Sequence, residues 1–104
     1  MKEKTLGILG GMGPLASTEF LKTIYEQNLG GGPEQSYPDV ILHSISSVPD
    51  RSASFAGNRE DELFERLYKN LKTLNDTNVS KIVICCITSH YYLPRLPPEM
   101  SAKI

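Results

Sequence analysis

The chain has 104 residues, a length typical of one small domain, and its 39% hydrophobic and 22% charged content is ordinary for a globular protein. Its formal net charge is −1 with both signs mixed, so we expect no nucleic-acid or membrane partner. No apolar run reaches the length of a membrane span and the N-terminus lacks a signal-peptide pattern, which together predict a cytoplasmic protein.

The first predicted elements are a short strand, a glycine-rich turn and a helix. The apolar run Thr5–Leu9 predicts a buried strand, and Gly10–Pro14 predicts the turn into the helix. Pro14 suits the first helical position, where its missing N–H is not needed. The apolar face expected to cover the sheet consists of Ala16, Phe20, Leu21, Ile24 and Tyr25.

The middle of the sequence predicts a loop, a second strand and a long amphipathic helix. Asn28–Pro38 is rich in glycine and proline and predicts the loop, and Val40–Ile45 predicts the strand. The strongest helical pattern runs from Arg59 to about Asn75, with Asn58 at its N-cap. Its predicted apolar face consists of Leu63, Phe64, Leu67, Tyr68 and Leu71.

A third strand is predicted within Lys81–His90, because this β-branched apolar run ends abruptly in thiols, hydroxyls and an imidazole. We expect Cys86 to be the last residue of the strand or the first beyond it. Thr88 or Ser89 could then cap a following helical turn. The proline-rich stretch 94–98 predicts a turn, and no clear element is predicted after it.

The β-α-β-α-β order of these elements predicts an α/β fold of three layers, with a parallel sheet in the middle and right-handed crossovers. The carboxyl ends of the three strands then open on one edge of the sheet, where open α/β folds bind their ligands. Three segments should meet there: the glycine turn, the loop that carries Arg51, and the turn after Cys86.

The two adjacent cysteines have different interpretations. Side chains alternate along a strand, so Cys85 and Cys86 should face opposite sides of the sheet and form no disulfide. We interpret Cys85 as a small buried hydrophobe. For Cys86 a structural and a reactive role are both open, and the polar residues that follow it favour a thiolate that performs acid–base chemistry on a carboxylate.

The glycine turn also has two interpretations. Gly11–Ala16 matches the dinucleotide pattern G-x-G-x-x-A between a strand and a helix. However, the second strand ends in His43, Ser44 and Ile45 rather than in the acid that would hold a ribose. We therefore favour backbone amides that bind a small anion. The adjacent cysteines do not have a metal-ligand spacing, and we expect no metal.

The other polar and aromatic residues near the predicted site have more than one possible role. Arg51 could bind a carboxylate through two parallel hydrogen bonds, or it could be a solvated loop arginine. We interpret His43 as a satisfied strand histidine, and Tyr91 and Tyr92 as packing residues. His90 could orient the Cys86 thiol, cap the turn, or lie at the surface.

Three segments together resemble a known family. Gly7–Ala16, Pro49–Arg51 and Cys86–His90 match, in order and spacing, the amino-terminal half of the aspartate/glutamate racemases. The resemblance covers nearly the whole chain. It implies that residues 1–104 form one α/β domain of a two-domain fold, in which the substrate lies in the cleft between domains. It also implies a racemase that needs no cofactor.

The resemblance further implies roles for individual residues. Cys86 would be one of two catalytic thiols, removing or returning the proton at Cα. Arg51 would meet a substrate carboxylate, and Met12 and the backbone around Ile87 and Thr88 would line the pocket. The expected substrate is an acidic or similar amino acid, and the expected enzyme class is an isomerase.

Two departures from the family pattern affect these expectations. Ile87 stands where the family commonly has asparagine, which leaves the substrate's polarity open. The second catalytic cysteine of the family belongs to a carboxyl-terminal half that this sequence does not contain. We therefore expect an incomplete site and a homo-oligomer. The alternatives are a one-base enzyme that exchanges or removes a substituent at an acidic carbon, and a non-catalytic anion-binding half-domain covered by another chain.

Overall fold

The computed structural model of the chain describes residues 4–27, 33, 37–47, 60–86 and 88–104. Its parallel strands are β1 (Thr5–Gly10), β2 (Asp39–Ser44) and β3 (Lys81–Ile84). Helix α1 (Pro14–Gln27) follows β1, and helix α2 (Glu60–Asn75) precedes β3. A 3₁₀ helix (Thr88–Arg95) and a short helix α3 (Pro98–Ser101) come last. The predicted α/β fold is confirmed.

The sheet has the order β2-β1-β3, so β1 is its central strand. Leu9 of β1 lies opposite His43 of β2 and Ile84 of β3. Right-handed crossovers in this order place α1 and α2 on opposite faces. The structure agrees with this arrangement. A Cβ atom added to Gly7 would meet Leu74 of α2, whereas one added to Gly10, on the other face of the strand, would meet Ser17 of α1.

The main core lies between the sheet and α2. The predicted apolar face of this helix is confirmed, with three leucines fully buried and the two aromatic residues half-buried. The buried cluster on this face includes Leu63, Leu67, Leu71, Leu74, Val79, Ile82 and Ile84. Helices α1 and α2 have 14 and 16 residues, and no helix in the described ranges is both long and apolar enough to cross a membrane.

Helix α1 covers its face of the sheet differently from the prediction. Ala16 is exposed, and Ser17 takes the buried position at the start of the helix. The reason is the close approach of the helix to β1, since a Cβ atom added to Gly10 would lie 2.4 Å from Cβ of Ser17. The Ser17 hydroxyl accepts from Gly11 N–H at 3.1 Å and donates to the Pro14 carbonyl at 3.0 Å. Only a small side chain fits this close to Gly10, and only a polar one can make both hydrogen bonds.

The end of the chain forms more structure than the sequence predicted. The 3₁₀ helix runs through Pro94, and α3 begins directly at Pro98, where a proline suits the first helical position. The Lys103 carbonyl then accepts a hydrogen bond of 2.9 Å from Ile82 N–H of β3. The carboxyl-terminal residues therefore occupy the outer edge of β3, and Met100 is buried in the core.

Candidate active site

Two of the site residues predicted from the sequence, Met12 and Cys86, lie just beyond the carboxyl ends of β1 and β3, which are neighbouring strands. Cys85 N–H donates to the Leu9 carbonyl at 2.9 Å and so extends the ladder one residue beyond β3. Cys86 is the second residue after the strand, one position later than the sequence predicted. The chain bends at Cys85 to enter the 3₁₀ helix, and this bend ends the strand early.

Both cysteines are half-buried, unpaired thiols. Cys86 packs against the core cluster on the α2 side of the sheet. Burial raises the pKa of the Cys85 thiol above its ordinary value, because the thiolate would lose hydration there. The raised pKa favours the thiol form of Cys85, but this residue is half-buried and not the buried hydrophobe that the sequence predicts.

The carbonyl oxygen of Cys86 is the centre of the turn that follows the strand. It accepts from Ser89 N–H at 3.2 Å and lies 2.9 Å from Nδ1 of His90. A carbonyl has no proton to give, so Nδ1–H of His90 is the donor. Of the three roles left open for His90, the structure shows the one that closes this turn.

The glycine turn after β1 meets the Cys86 turn through Met12. The Met12 side chain is 5% exposed, and the Ser89 hydroxyl donates to its Sδ atom at 3.9 Å. Ser89, one of the two predicted capping residues, is thus buried and bonded to the opposite turn. Gly11 makes the glycine turn possible: its φ is 94°, and Ile45 N–H donates to the preceding carbonyl, that of Gly10, at 2.9 Å.

Helix α1 begins at the same edge of the sheet. The first-turn amides of a helix have no partner within the helix and carry a partial positive charge. They follow the glycine turn directly, and Leu15 beside them is 82% exposed. Within the described residues, no three His, Cys, Asp or Glu side chains come together in a way that could hold a metal ion. The edge therefore presents a thiol, backbone donors and a positive helix end.

Some predicted site residues lie outside the described part of the chain. These are Arg51 and Ile87, together with the side chain of Thr88, whose backbone begins the 3₁₀ helix. The segment that contains Arg51 lies between Ser47 and the start of α2. Ser47 is the last described residue before that segment, and its hydroxyl accepts from the Arg66 guanidinium of α2 at 2.7 Å.

His43 is hydrogen-bonded and Tyr92 is packed in the core as predicted, whereas Tyr91 is mostly exposed, contrary to the predicted packing role. Nε2 of His43 lies 2.8 Å from Oδ1 of Asn70, which confirms the interpretation of a satisfied strand histidine. Tyr92 is 2% exposed and packs in the core as predicted, whereas Tyr91 is 66% exposed and contacts the Tyr92 ring edge-on.

One further contact, between the 3₁₀ helix and α2, is not predicted from the sequence. The Arg95 guanidinium lies 4.1 Å from the centre of the Phe64 ring and 3.5 Å from Asp61. Nothing in a proline-rich stretch predicts that its arginine will return to the first turns of a helix that begins 35 residues earlier. This contact holds the far end of the 3₁₀ helix against α2.

Comparison with known proteins assigns the chain to a family. The model of the Asp/Glu/Hydantoin racemase family matches residues 9–102, which include the glycine turn and the Cys86 turn. The chain belongs to this racemase family. The resemblance noted from three sequence motifs is therefore confirmed, and an isomerase is the enzyme class that the family implies.

Individual relatives agree with this assignment. The chain is 27% identical over 104 residues to the broad specificity amino-acid racemase RacX of Bacillus subtilis (strain 168), an alignment that covers 95% of this chain and 44% of that protein. The fold matches the aspartate racemase of Picrophilus torridus with a TM-score of 0.78 and 24% identity, covering 91% of this chain and 40% of that one.

A second solved structure shows the same fold. It is an aspartate racemase homologue from Pyrococcus horikoshii OT3, which matches with a TM-score of 0.70 and 21% identity over 98% of this chain and 42% of that one. The chain thus spans less than half the length of each of these relatives, and it corresponds to their amino-terminal half.

Proposed function

We propose that this chain is the amino-terminal half of an amino-acid racemase of the aspartate/glutamate type, in which Cys86 transfers the α proton of the substrate. The observation that carries the proposal is the position of Cys86 in a racemase-family fold. Its half-buried thiol follows β3 at the sheet edge where α1 begins and where the Met12 turn closes. We further propose that the protein is cytoplasmic.

The chemistry of inversion defines what Cys86 must do. As a thiolate it takes the proton from Cα, so the C–H bond breaks, an S–H bond forms and the electron pair stays on carbon. A proton must then reach the opposite face of the same carbon from a second acid. As a thiol, Cys86 performs the reverse half-reaction by giving its proton to the carbanion.

The carbanion needs stabilisation because we propose that no pyridoxal phosphate or other cofactor takes part. Without an electron sink, fixed donors and cations in a dry pocket must bear the developing charge. We assign the substrate carboxylate to Arg51, and we assign the pocket lining to Met12 and the backbone of Ile87 and Thr88. The positive end of α1 at the same edge supports a bound carboxylate.

We propose that the second acid comes from outside the described residues of this chain. We propose that an opposing domain or a second copy of the chain supplies it, and that the protein is a homo-oligomer. The relatives support the first source, because this chain spans 44% of the Bacillus subtilis racemase and 40% of the Picrophilus torridus enzyme.

The experiment that tests this function is proton NMR in heavy water with L- and D-aspartate, L- and D-glutamate, and neutral amino acids as a panel. We expect the α-proton signal of at least one acidic amino acid to disappear in the presence of the chain. Inversion with exchange would indicate a complete two-base site, and exchange of one enantiomer without inversion would indicate a half-site. No exchange with any member of the panel would contradict the proposal.

A second candidate is a carboxylate-binding half-domain without catalysis. The start of α1 beside the glycine turn favours it, since those amides can bind an anion without any thiol chemistry. In this case aspartate would bind with a measurable heat in calorimetry, Cys86→Ala would bind it equally well, and the α proton would not exchange.

A further inference from the structure

The hydrogen bond between His90 and the Cys86 carbonyl holds the turn that carries the Cys86 thiol. The two atoms are 2.9 Å apart, and the ring is half-buried four residues after the thiol. Because the acceptor is a carbonyl, the proton of the neutral ring resides on Nδ1, and Nε2 keeps its lone pair.

The backbone of Cys86 is held on both sides. Before it, Cys85 N–H donates to Leu9 of the central strand at 2.9 Å. After it, the Cys86 carbonyl accepts from His90 and also from Ser89 N–H at 3.2 Å, so both lone pairs of this oxygen are used. These bonds therefore fix the direction of the Cα–Cβ bond that carries the sulfur atom.

Ser89 links the turn after Cys86 to the glycine turn after β1. Its hydroxyl donates to Met12 Sδ at 3.9 Å, so the turn that His90 closes is also packed against the glycine turn. Loss of the His90 bond would leave one backbone amide to hold the Cys86 carbonyl and would loosen the turn at the end that carries the thiol.

We propose that His90 is a positioning residue for the Cys86 thiol and acts through Nδ1–H rather than through Nε2. The inference rests on the proposed function, because it is the proton transfer at Cα that requires a precisely placed sulfur atom. Reacting groups displaced by about one ångström can lose about a hundredfold in rate, so one turn-closing bond matters for catalysis.

Substitution of His90 by asparagine or by glutamine distinguishes the role of Nδ1 from that of Nε2. The amide nitrogen of asparagine is attached to Cγ, as Nδ1 of histidine is, and it can donate to the Cys86 carbonyl. The amide nitrogen of glutamine lies one bond further out, near the place of Nε2. Both substitutions remove the ring, so they are matched for lost packing and differ in which nitrogen they replace.

The test uses the full chain with Cys85→Ala in every variant, so that Cys86 is its only thiol. Alkylation by iodoacetate and by iodoacetamide is measured on the parent, His90→Asn and His90→Gln, with folding checked by circular dichroism. The ratio of the two rates reports whether a carboxylate-bearing reagent is guided to the thiol. The α-proton exchange rate is measured on the same samples.

We expect His90→Gln to lower the exchange rate and the iodoacetate preference by about tenfold or more, as misplacement of the reacting groups implies. His90→Asn should restore both to within a few-fold of the parent. Equal values in all three proteins, or an asparagine variant as impaired as the glutamine variant, would overturn the proposal. If the parent shows no α-proton exchange, the proposed function fails, and the alkylation ratios still decide the role of His90.

Discussion

Gly11 is the residue on which the shape of the glycine turn depends. Its φ of 94° lies in the region that residues with side chains rarely adopt. A Cβ atom there would lie 2.2 Å from the backbone nitrogen of Ile45, which donates to the Gly10 carbonyl and cannot move without breaking that bond. Both strain and steric overlap therefore exclude any larger residue.

We predict that Gly11→Ala lowers the free energy of unfolding by about 3 kcal/mol or more, because overpacking adds to an unfavourable φ. Gly13→Ala is the matched control. It lies two residues away, and a Cβ atom there would meet nothing within 4 Å, so its effect should stay within about 1 kcal/mol. Urea unfolding measures both. Equal losses in the two variants would contradict the account of the turn.

Cys85 gives a prediction about pH, since burial raises the pKa of its thiol. The folded chain then binds this proton more tightly than the unfolded chain does. The resulting stabilisation is fully present below the ordinary thiol pKa of about 8.5 and is lost as pH rises through the raised pKa.

The difference in free energy of unfolding between the wild type and Cys85→Ala should therefore be constant from pH 6 to about pH 8 and should shrink above about pH 8.5. Taking the difference cancels the titration of lysine and tyrosine residues that both proteins share. Urea unfolding at a series of pH values provides the measurement. A difference that stays flat to about pH 10 would show that the thiol is not desolvated.

At the scale of elements, the contact between the 3₁₀ helix and α2 has two components of unequal strength. The Arg95 guanidinium lies 4.1 Å from the centre of the half-buried Phe64 ring. Its ion pair with Asp61, at 3.5 Å, is longer than a strong charge-assisted hydrogen bond of about 2.7–2.9 Å, and the Asp61 side chain is 92% exposed. Exposed ion pairs of this kind contribute little, whereas stacking on an aromatic face also buries the arginine stem.

We therefore predict that Arg95→Ala destabilises the fold by about 1 kcal/mol, while Asp61→Asn changes the free energy of unfolding by less than about 0.5 kcal/mol. Thermal or urea unfolding of the two variants, with high salt as a further condition, makes the comparison. A larger effect of Asp61→Asn, or an Arg95 effect abolished by salt, would assign the contact to the ion pair instead.

The elements differ in how far the sequence predicts them. Apolar periodicity predicts all three strands and α2, because the sheet and helix faces that bury leucine, isoleucine and valine repeat at fixed spacing. The face of α1 was predicted less well, since the contact of Ser17 with Gly10 depends on how closely two elements approach. The helical turn expected after Cys86 is the start of the 3₁₀ helix, but the extension of this helix through Pro94 and the helix α3 are not predicted, because the prolines indicate a turn although two of them are compatible with helical structure.

In the candidate site, too, sequence motifs predict some features, and others depend on tertiary contacts. The motifs predict Cys86 and Met12 as candidate site residues, and the structure brings their turns together through Ser89. The role of His90 stayed open among three alternatives, because only the fold determines which carbonyl its ring can reach. Neither strand pattern nor motif shows that β3 ends at Ile84.

At the scale of the whole molecule, exposed apolar residues accompany the elements of the candidate site. Leu15 lies beside the glycine turn and is 82% exposed, and Tyr91 follows the Cys86 turn and is 66% exposed. A chain of this size buries only about two-thirds of the surface that its unfolded form exposes, so additional burial against a partner surface would stabilise it.

We predict that the chain self-associates and that Leu15→Glu weakens the association. Glutamate in the first turn of α1 is favourable for the helix dipole, so the substitution should not unfold the helix. Thr73→Glu, at an exposed position of α2, is the control and should leave the association unchanged. Sedimentation velocity over a range of concentrations measures both variants. A wild-type chain that remains monomeric throughout would contradict this prediction.

We propose that the thiol of Cys86, and not that of Cys85, moves the α proton. The most direct measurement compares the wild type, Cys85→Ala and Cys86→Ala for loss of the α-proton NMR signal of aspartate and glutamate in heavy water. We expect Cys85→Ala to exchange the proton at a rate within a few-fold of the wild type, and Cys86→Ala to show no exchange above that in buffer alone. Exchange that survives in Cys86→Ala, or that is lost equally in both variants, would contradict it.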